Sequence, residues 1–202
     1  MIEALRLSAF KYVYYMDETS LSLWSNIKRK TFTDGTTTLP YQAKRGTNRT
    51  VIGAVGAAMY DDDDNKFQFK YQVVRRTAKE EFRNFLELLR DTAPVPRSDY
   101  VIFADNHSAH RFKLVTKFIA DNNMTLKFLS PYSSPLNAAE RVWSALKNEW
   151  SKQVASRTSD FDLTQLDAEV DRVCQRVAGR LRYDIMRSSD KAQQLVLRNI
   201  LV

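Results

Sequence analysis

The sequence predicts an α/β domain: a mixed five-stranded sheet flanked by helices, with a polar insertion after the first strand and helices at the C-terminal end. Two observations carry that expectation. Residues 10–17 (FKYVYYMD), 51–59 (VIGAVGAAM) and 67–74 (FQFKYQVV) are short β-branched, aromatic, small-residue or alternating runs, and read as antiparallel neighbours. Residues 100–105 (YVIFAD) and 125–129 (TLKFL) are apolar runs reached through stretches of helical period. Strands of both kinds in one sheet make it mixed, with helices covering it.

The elements follow in order. A short strand is expected over residues 21–28, then a long loop or extended arm over residues 30–50, which are rich in Thr and Gly. YDDDDNK forms the turn between the second and third main strands. Thr77-Ala78-Lys79-Glu80 has capping-box spacing, and Phe82, Phe85, Leu86 and Leu89 continue it as a helix to about Asp91, where Pro94 and Pro96 block extension. A second helix turns Leu114, Val115, Phe118 and Ile119 inward and ends near Asn122 and Asn123. After the Pro/Ser loop SPYSSPLN, a third helix runs from about Ala138 to Gln153. Leu163, Leu166, Val170, Val173 and Val177 give the last stretch, about 161–202, a helical period. Residues 1–153 are expected to form the core, with residues 28–50 as a basic insertion and 154–202 as a helical extension.

The chain has 202 residues, 31 Lys+Arg and 24 Asp+Glu, for a net charge of +7. A basic domain of this kind can meet a polyanion, and the excess is spread along the chain, so any binding surface must be assembled by folding. No run of about 18 apolar residues is present, and no membrane partner is expected. The N-terminal residues lack the sections of a signal peptide. One cysteine, Cys174, allows neither an internal disulfide nor a cysteine-based zinc site, and it lies in an apolar stripe that reads as buried. No phosphate-binding loop, dinucleotide fingerprint or G-x-S-x-G elbow occurs.

Two expected strands end in aspartate, at Asp17 and Asp105. If those strands lie side by side and parallel, both carboxylates emerge at one sheet edge, where sites in such sheets are usual. Glu140 lies early in the third helix, about 60° from Trp143 and at the edge of the face formed by Trp143, Leu146 and Trp150. Three converging carboxylates suit Mg²⁺ or Mn²⁺, and two such ions about 4 Å apart can act on a phosphodiester. The plain alternative is two turn acids and an exposed helix residue. Lys147, two turns beyond Glu140, stands where a phosphate could pass.

YMDETS, IFADNHSAH and LSPYSSPLNAAERVWSALK together resemble the catalytic domain of mariner-type DDE transposases. The second motif is similar to DN-x-x-x-H, the third to PYSP-x-LNPIE-x-x-W-x-x-LK, and 34 residues separate Asp105 from Glu140. Ser134, Pro135, Ala138 and Ala139 depart from the family pattern without touching a carboxylate. The resemblance covers about residues 10–153. It implies a ribonuclease H-like fold, with Asp17, Asp105 and Glu140 as a metal-binding triad for two Mg²⁺ or Mn²⁺ ions. It also implies cleavage of double-stranded DNA at transposon ends, 3′-hydroxyl joining to target DNA, and a homodimer on DNA. Family members carry N-terminal helix-turn-helix domains, so end recognition is not expected to reside wholly in this chain. The nucleus is expected for a eukaryotic source and the cytoplasm for a bacterial one. Two alternatives stand beside this reading: a nuclease of the same fold that cleaves without joining, and a domesticated DNA-binding or assembly protein.

Other residues have their own readings. Lys28, Arg29, Lys30, Lys44, Arg45 and Arg49 form either an arm that grips DNA or a partner subunit, or a solvated loop. His110 matches the family histidine; it and His107 are read as supports rather than metal ligands. Asn106 either positions a carboxylate or phosphate, or caps the following helix. Glu18 is expected to point away from Asp17. Asp61–Asp64 are read as a solvated turn, and Trp24, Trp143 and Trp150 as core.

Overall fold

A computed structural model describes residues 10–23, 48–58, 68–106, 108–130, 137–155 and 163–180. The five strands are β1 (Tyr12–Ser22), β2 (Asn48–Ala58), β3 (Gln68–Val74), β4 (Tyr100–Ala104) and β5 (Thr125–Phe128). They form one sheet in the order β3-β2-β1-β4-β5. β1 pairs antiparallel with β2, which pairs antiparallel with β3. β4 lies parallel to both β1 and β5. The sheet is mixed, as the sequence predicts.

Alternation along β1 and β4 divides the core in two. Tyr12, Tyr14 and Met16 face one side with Tyr100, Ile102 and Ala104. On that side, helix α1 (Lys79–Thr92) buries Phe82, Phe85, Leu86 and Leu89. Helix α2 (Lys113–Asp121) adds Val115, with Phe118 and Ile119 partly buried, while Leu114 in its first turn is left exposed. Val13, Tyr15, Val101 and Phe103 face the opposite side. There helix α3 (Ala139–Ala155) and helix α4 (Leu166–Arg180) share one cluster that includes Trp143, Leu146, Trp150, Val170, Val173 and Cys174. α4 therefore packs on the same core as α3. Among the described residues, no helix is long and apolar enough to cross a membrane.

Three local expectations change. β1 does not end at Asp17 but runs to Ser22, because β2 starts at Asn48 and pairs with β1 as far as Ser22. Residues 48–50 are therefore strand rather than loop. The N-cap of α1 is Ala78 with no side-chain bond, so Thr77 does not close a capping box. The close of α2 follows expectation: Asn123 takes a φ of 51°, a left-handed conformation that asparagine tolerates better than most residues. The turn with Asp61–Asp64, Trp24, His107 and the segment 24–47 lie outside the described residues.

Candidate active site

The register of the sheet places the first two acids. Met16 of β1 is level with Ala104 of β4, and this is their last paired position. Asp17 and Asp105 are the next residues on the two parallel strands. β1 continues past this point on its β2 side alone, so Asp17 sits at the mouth of the β1–β4 pair although its strand does not end there. Odd-numbered residues of both strands face α3, which puts Asp17 on that side by register; Asp105, one residue past the end of β4, turns its carboxylate to within 3.1 Å of His110 Nδ1.

Asp17 is held by two donors. The Glu18 main-chain N–H donates to Oδ1 at 2.8 Å, and the indole Nε1–H of the buried Trp143 donates to Oδ2 at 3.0 Å. Trp143 thus anchors α3 in the core and also orients a carboxylate. Burial pushes the Asp17 carboxyl up to about 6; the two hydrogen bonds oppose that rise, and the charges of Glu18 and Glu140 add to it. Glu140, exposed in the first turn of α3, is therefore near enough to act on Asp17 electrostatically.

That raised value has a consequence for stability. An acid with a higher pKa folded than unfolded takes up protons on folding. Its contribution is fully present below about 3.8 and is lost as the pH rises through about 6. Metal-free protein is expected to lose on the order of 2 kcal/mol over that range from this group, allowing for its partial exposure. Asp17→Asn should flatten the fall; calorimetry from pH 4 to pH 7 on both proteins checks it, and an unchanged slope would count against the burial argument.

Glu18 points to the other face, as its place on the strand requires. There it meets His110, which is fully buried and stacked on Phe82 at 4.2 Å between ring centroids. His110 Nε2 lies 2.9 Å from Glu18 Oε1. Nδ1 lies 3.1 Å from the main-chain oxygen of Asp105 and 3.1 Å from its Oδ1. A carbonyl oxygen only accepts, as does an ionised carboxylate, so a proton on each ring nitrogen would give every one of these partners a donor. Burial alone would lower the His110 pKa, but the Glu18 hydrogen bond and charge, joined by Asp105, outweigh it and the net shift is upward.

Among the described residues, one group of side chains lies close enough together to share a cation, and a second set is chemically suited to one. Glu18, Asp105 and His110 each offer a ligand atom within 4.8 Å of the others. An ion there would occupy one ring nitrogen and displace its hydrogen bond, whereas a proton on each nitrogen satisfies every partner. This cluster reads better as a support that fixes Asp105. Asp17, Asp105 and Glu140 instead offer only carboxylate oxygens, the hard donors that Mg²⁺ and Mn²⁺ prefer. The upward shift at Asp17 comes first from burial, and the charges of Glu18 and Glu140 that add to it are ones a divalent cation would offset. The chemistry of this second set fits such an ion.

The other residues singled out in the sequence fall as follows. Asn106 accepts a hydrogen bond from Arg111, and the N-cap of α2 is Phe112, so Asn106 does not cap that helix. Arg49 lies on β2, not on a loop; it is paired with Asp167 of α4, and its side chain is largely buried. Lys147 is exposed on α3. Lys28, Arg29, Lys30, Lys44 and Arg45 lie outside the described residues. Sequence reasoning missed the indole bond of Trp143 and the role of Asn137, a buried residue whose side chain accepts from the first N–H of α3.

A family model described as DDE superfamily endonuclease matches residues 12–162, a span that includes Asp17, Asp105 and Glu140. No curated protein matches the chain. Among solved structures, the chain is similar to a chain of the simian T-cell lymphotropic virus intasome in complex with PP2A regulatory subunit B56 gamma. That likeness has a TM-score of 0.51 at 13% identity and covers 82% of this chain and 47% of the other. The chain thus spans about half the length of that structure's chain. It is also similar to the HTLV-2 integrase catalytic core domain in complex with magnesium, in its trimeric form, with a TM-score of 0.48 at 12% identity over 85% of each chain. With the family match, the intasome likeness shows the mixed sheet to be ribonuclease H-like.

Proposed function

The chain belongs to the DDE superfamily endonucleases, and on that premise we propose that it is the catalytic domain of a mariner-type transposase. It would cleave double-stranded DNA at transposon ends and join the freed 3′-hydroxyl to target DNA. The long third motif, from Pro131 to Lys147, supports the subfamily. The observation that carries the activity is the level placement of Asp17 and Asp105 on parallel neighbours, with Glu140 close enough to raise the Asp17 pKa.

In this reading Asp17, Asp105 and Glu140 hold two Mg²⁺ or Mn²⁺ ions. When bound, such ions activate an attacking hydroxyl and stabilise the leaving oxygen at a phosphodiester. The protein's own part is placement. Trp143 and the Glu18 amide fix the direction of the Asp17 carboxylate. The Glu18–His110 pair holds Asp105 through its main-chain oxygen and its carboxylate. Lys147 on α3 would neutralise a DNA phosphate, and the basic residues from Lys28 to Arg45 would grip the duplex with little sequence preference. A homodimer on DNA would bring two transposon ends together.

The test pairs a labelled duplex with a free 3′-hydroxyl end and a supercoiled plasmid, in Mg²⁺ or Mn²⁺. Label covalently joined to plasmid is the expected product, absent with Glu140→Gln. Nicked plasmid without joined label would make the protein a nuclease. DNA binding without either product, unchanged by Glu140→Gln, would make it a binding or assembly protein.

A further inference from the structure

Asn137 stands two residues before the start of α3 and is only 4% exposed. Its side-chain amide makes two bonds of opposite sense. Oδ1 accepts from the main-chain N–H of Ala139 at 3.1 Å, and Nδ2 donates to the main-chain oxygen of Met16 at 3.3 Å. Its own carbonyl accepts from the Glu140 N–H at 3.1 Å. An N–H can only donate and a carbonyl can only accept, so the orientation of the amide is fixed by its partners.

The first bond is an ordinary helix cap. The second is not needed for capping. It crosses 121 residues of sequence to reach β1 at the last position level with β4, the residue before Asp17. One side chain therefore joins the first turn of α3, which carries Glu140, to the strand that carries Asp17. Trp143 supplies a second tie, from the next turn of α3 to Asp17 itself. With a single tie α3 could pivot about the indole; two ties, nearly two helical turns apart, fix both its position and its rotation.

We propose that Asn137 is a positioning residue for the carboxylate site: its amide sets the distance between Asp17 and Glu140 by clamping the start of α3 to the Met16 carbonyl. The proposal rests on the reading of Asp17, Asp105 and Glu140 as a metal site. The useful variants keep the cap and lose the clamp. Serine and threonine both cap helices well, but each has a single hydroxyl oxygen where asparagine has Oδ1 and Nδ2, and an oxygen on Cβ placed to accept from Ala139 falls short of the position from which Nδ2 reaches Met16.

The experiment measures Mn²⁺ binding by water-proton relaxation, with thermal unfolding, on the full chain as wild type, Asn137→Ser, Asn137→Thr and Glu140→Gln. Loss of a residue that orients metal ligands weakens metal affinity about ten- to a hundred-fold. Such weakening is expected in both cap-preserving variants while their melting temperatures stay near wild type. In the joining assay, the rate at saturating DNA should fall while the DNA concentration for half-maximal rate does not change. Wild-type Mn²⁺ affinity in both variants would overturn the proposal. Failure of both to fold would overturn it too, by making Asn137 a residue that holds the fold rather than the site. Glu140→Gln separates the underlying reading: if it leaves Mn²⁺ binding unchanged, the metal site itself fails, whatever Asn137 does.

Discussion

Asp105→Asn is expected to lower metal-dependent DNA cleavage roughly a thousandfold or more, because a bound metal contributes several kcal/mol to a phosphodiester transition state. The fold should hardly notice. The Asp105 side chain is 49% exposed, and its main-chain oxygen, which His110 also contacts, is unchanged by the substitution. Glu140→Gln should behave alike, since Glu140 is exposed in the first turn of α3. Glu140→Gln should unfold within about 0.5 kcal/mol of wild type, the usual range for surface changes, and Asp105→Asn somewhat more easily, because it removes a carboxylate beside the buried His110. Cleavage rates measured with the same DNA and metal decide the matter: rates within a few-fold of wild type would remove these carboxylates from the chemistry.

Gly53→Ala is expected to damage the site from the opposite side of the sheet's pairing. Gly53 of β2 is level with Asp17. A Cβ there would stand 2.5 Å from Cη2 of Trp143 and 3.0 Å from a Phe69 ring carbon. The indole is almost fully buried, so it can move only by shifting α3 or its own rotamer. Overpacking of this kind costs about 1–3 kcal/mol. It also disturbs the indole bond to Asp17, so Mn²⁺ affinity should fall along with stability. Gly56→Ala is the control. Its Cβ would meet Tyr14 and Tyr12 at 2.4 and 2.5 Å, on the face away from α3. It should lose comparable stability while the folded fraction keeps wild-type Mn²⁺ affinity. Equal loss of affinity in both would mean that general loosening, not the Trp143 contact, controls the site.

The sequence carried the site's outline because periodicity and acid placement are local signals. The apolar runs before Asp17 and Asp105 fix which residues sit in the strands, and alternation then assigns Asp17 and Glu18 to opposite faces. Glu140 was legible as an early helix residue beside an apolar face. What was not legible depends on partners far away in sequence. β1 continues to Ser22 only because β2 begins as early as Asn48, inside a stretch whose Thr and Gly content reads as loop. The Glu18–His110 pair spans 92 residues, and nothing local marks it. Asn137 is different: an asparagine just before a helix is a recognisable cap signal, and it could have been found. Its second bond, to Met16, could not.

The central claim is that Asp17, Asp105 and Glu140 share one metal site. NMR during a Mn²⁺ titration tests it most directly, because paramagnetic broadening marks residues near the ion and needs no DNA. Signals around all three residues are expected to broaden together at low Mn²⁺, and Asp105→Asn should weaken the effect at Asp17 and Glu140 as well. Broadening confined to Glu18 and His110, or to Asp61–Asp64, with Asp17 and Glu140 unaffected, would contradict it.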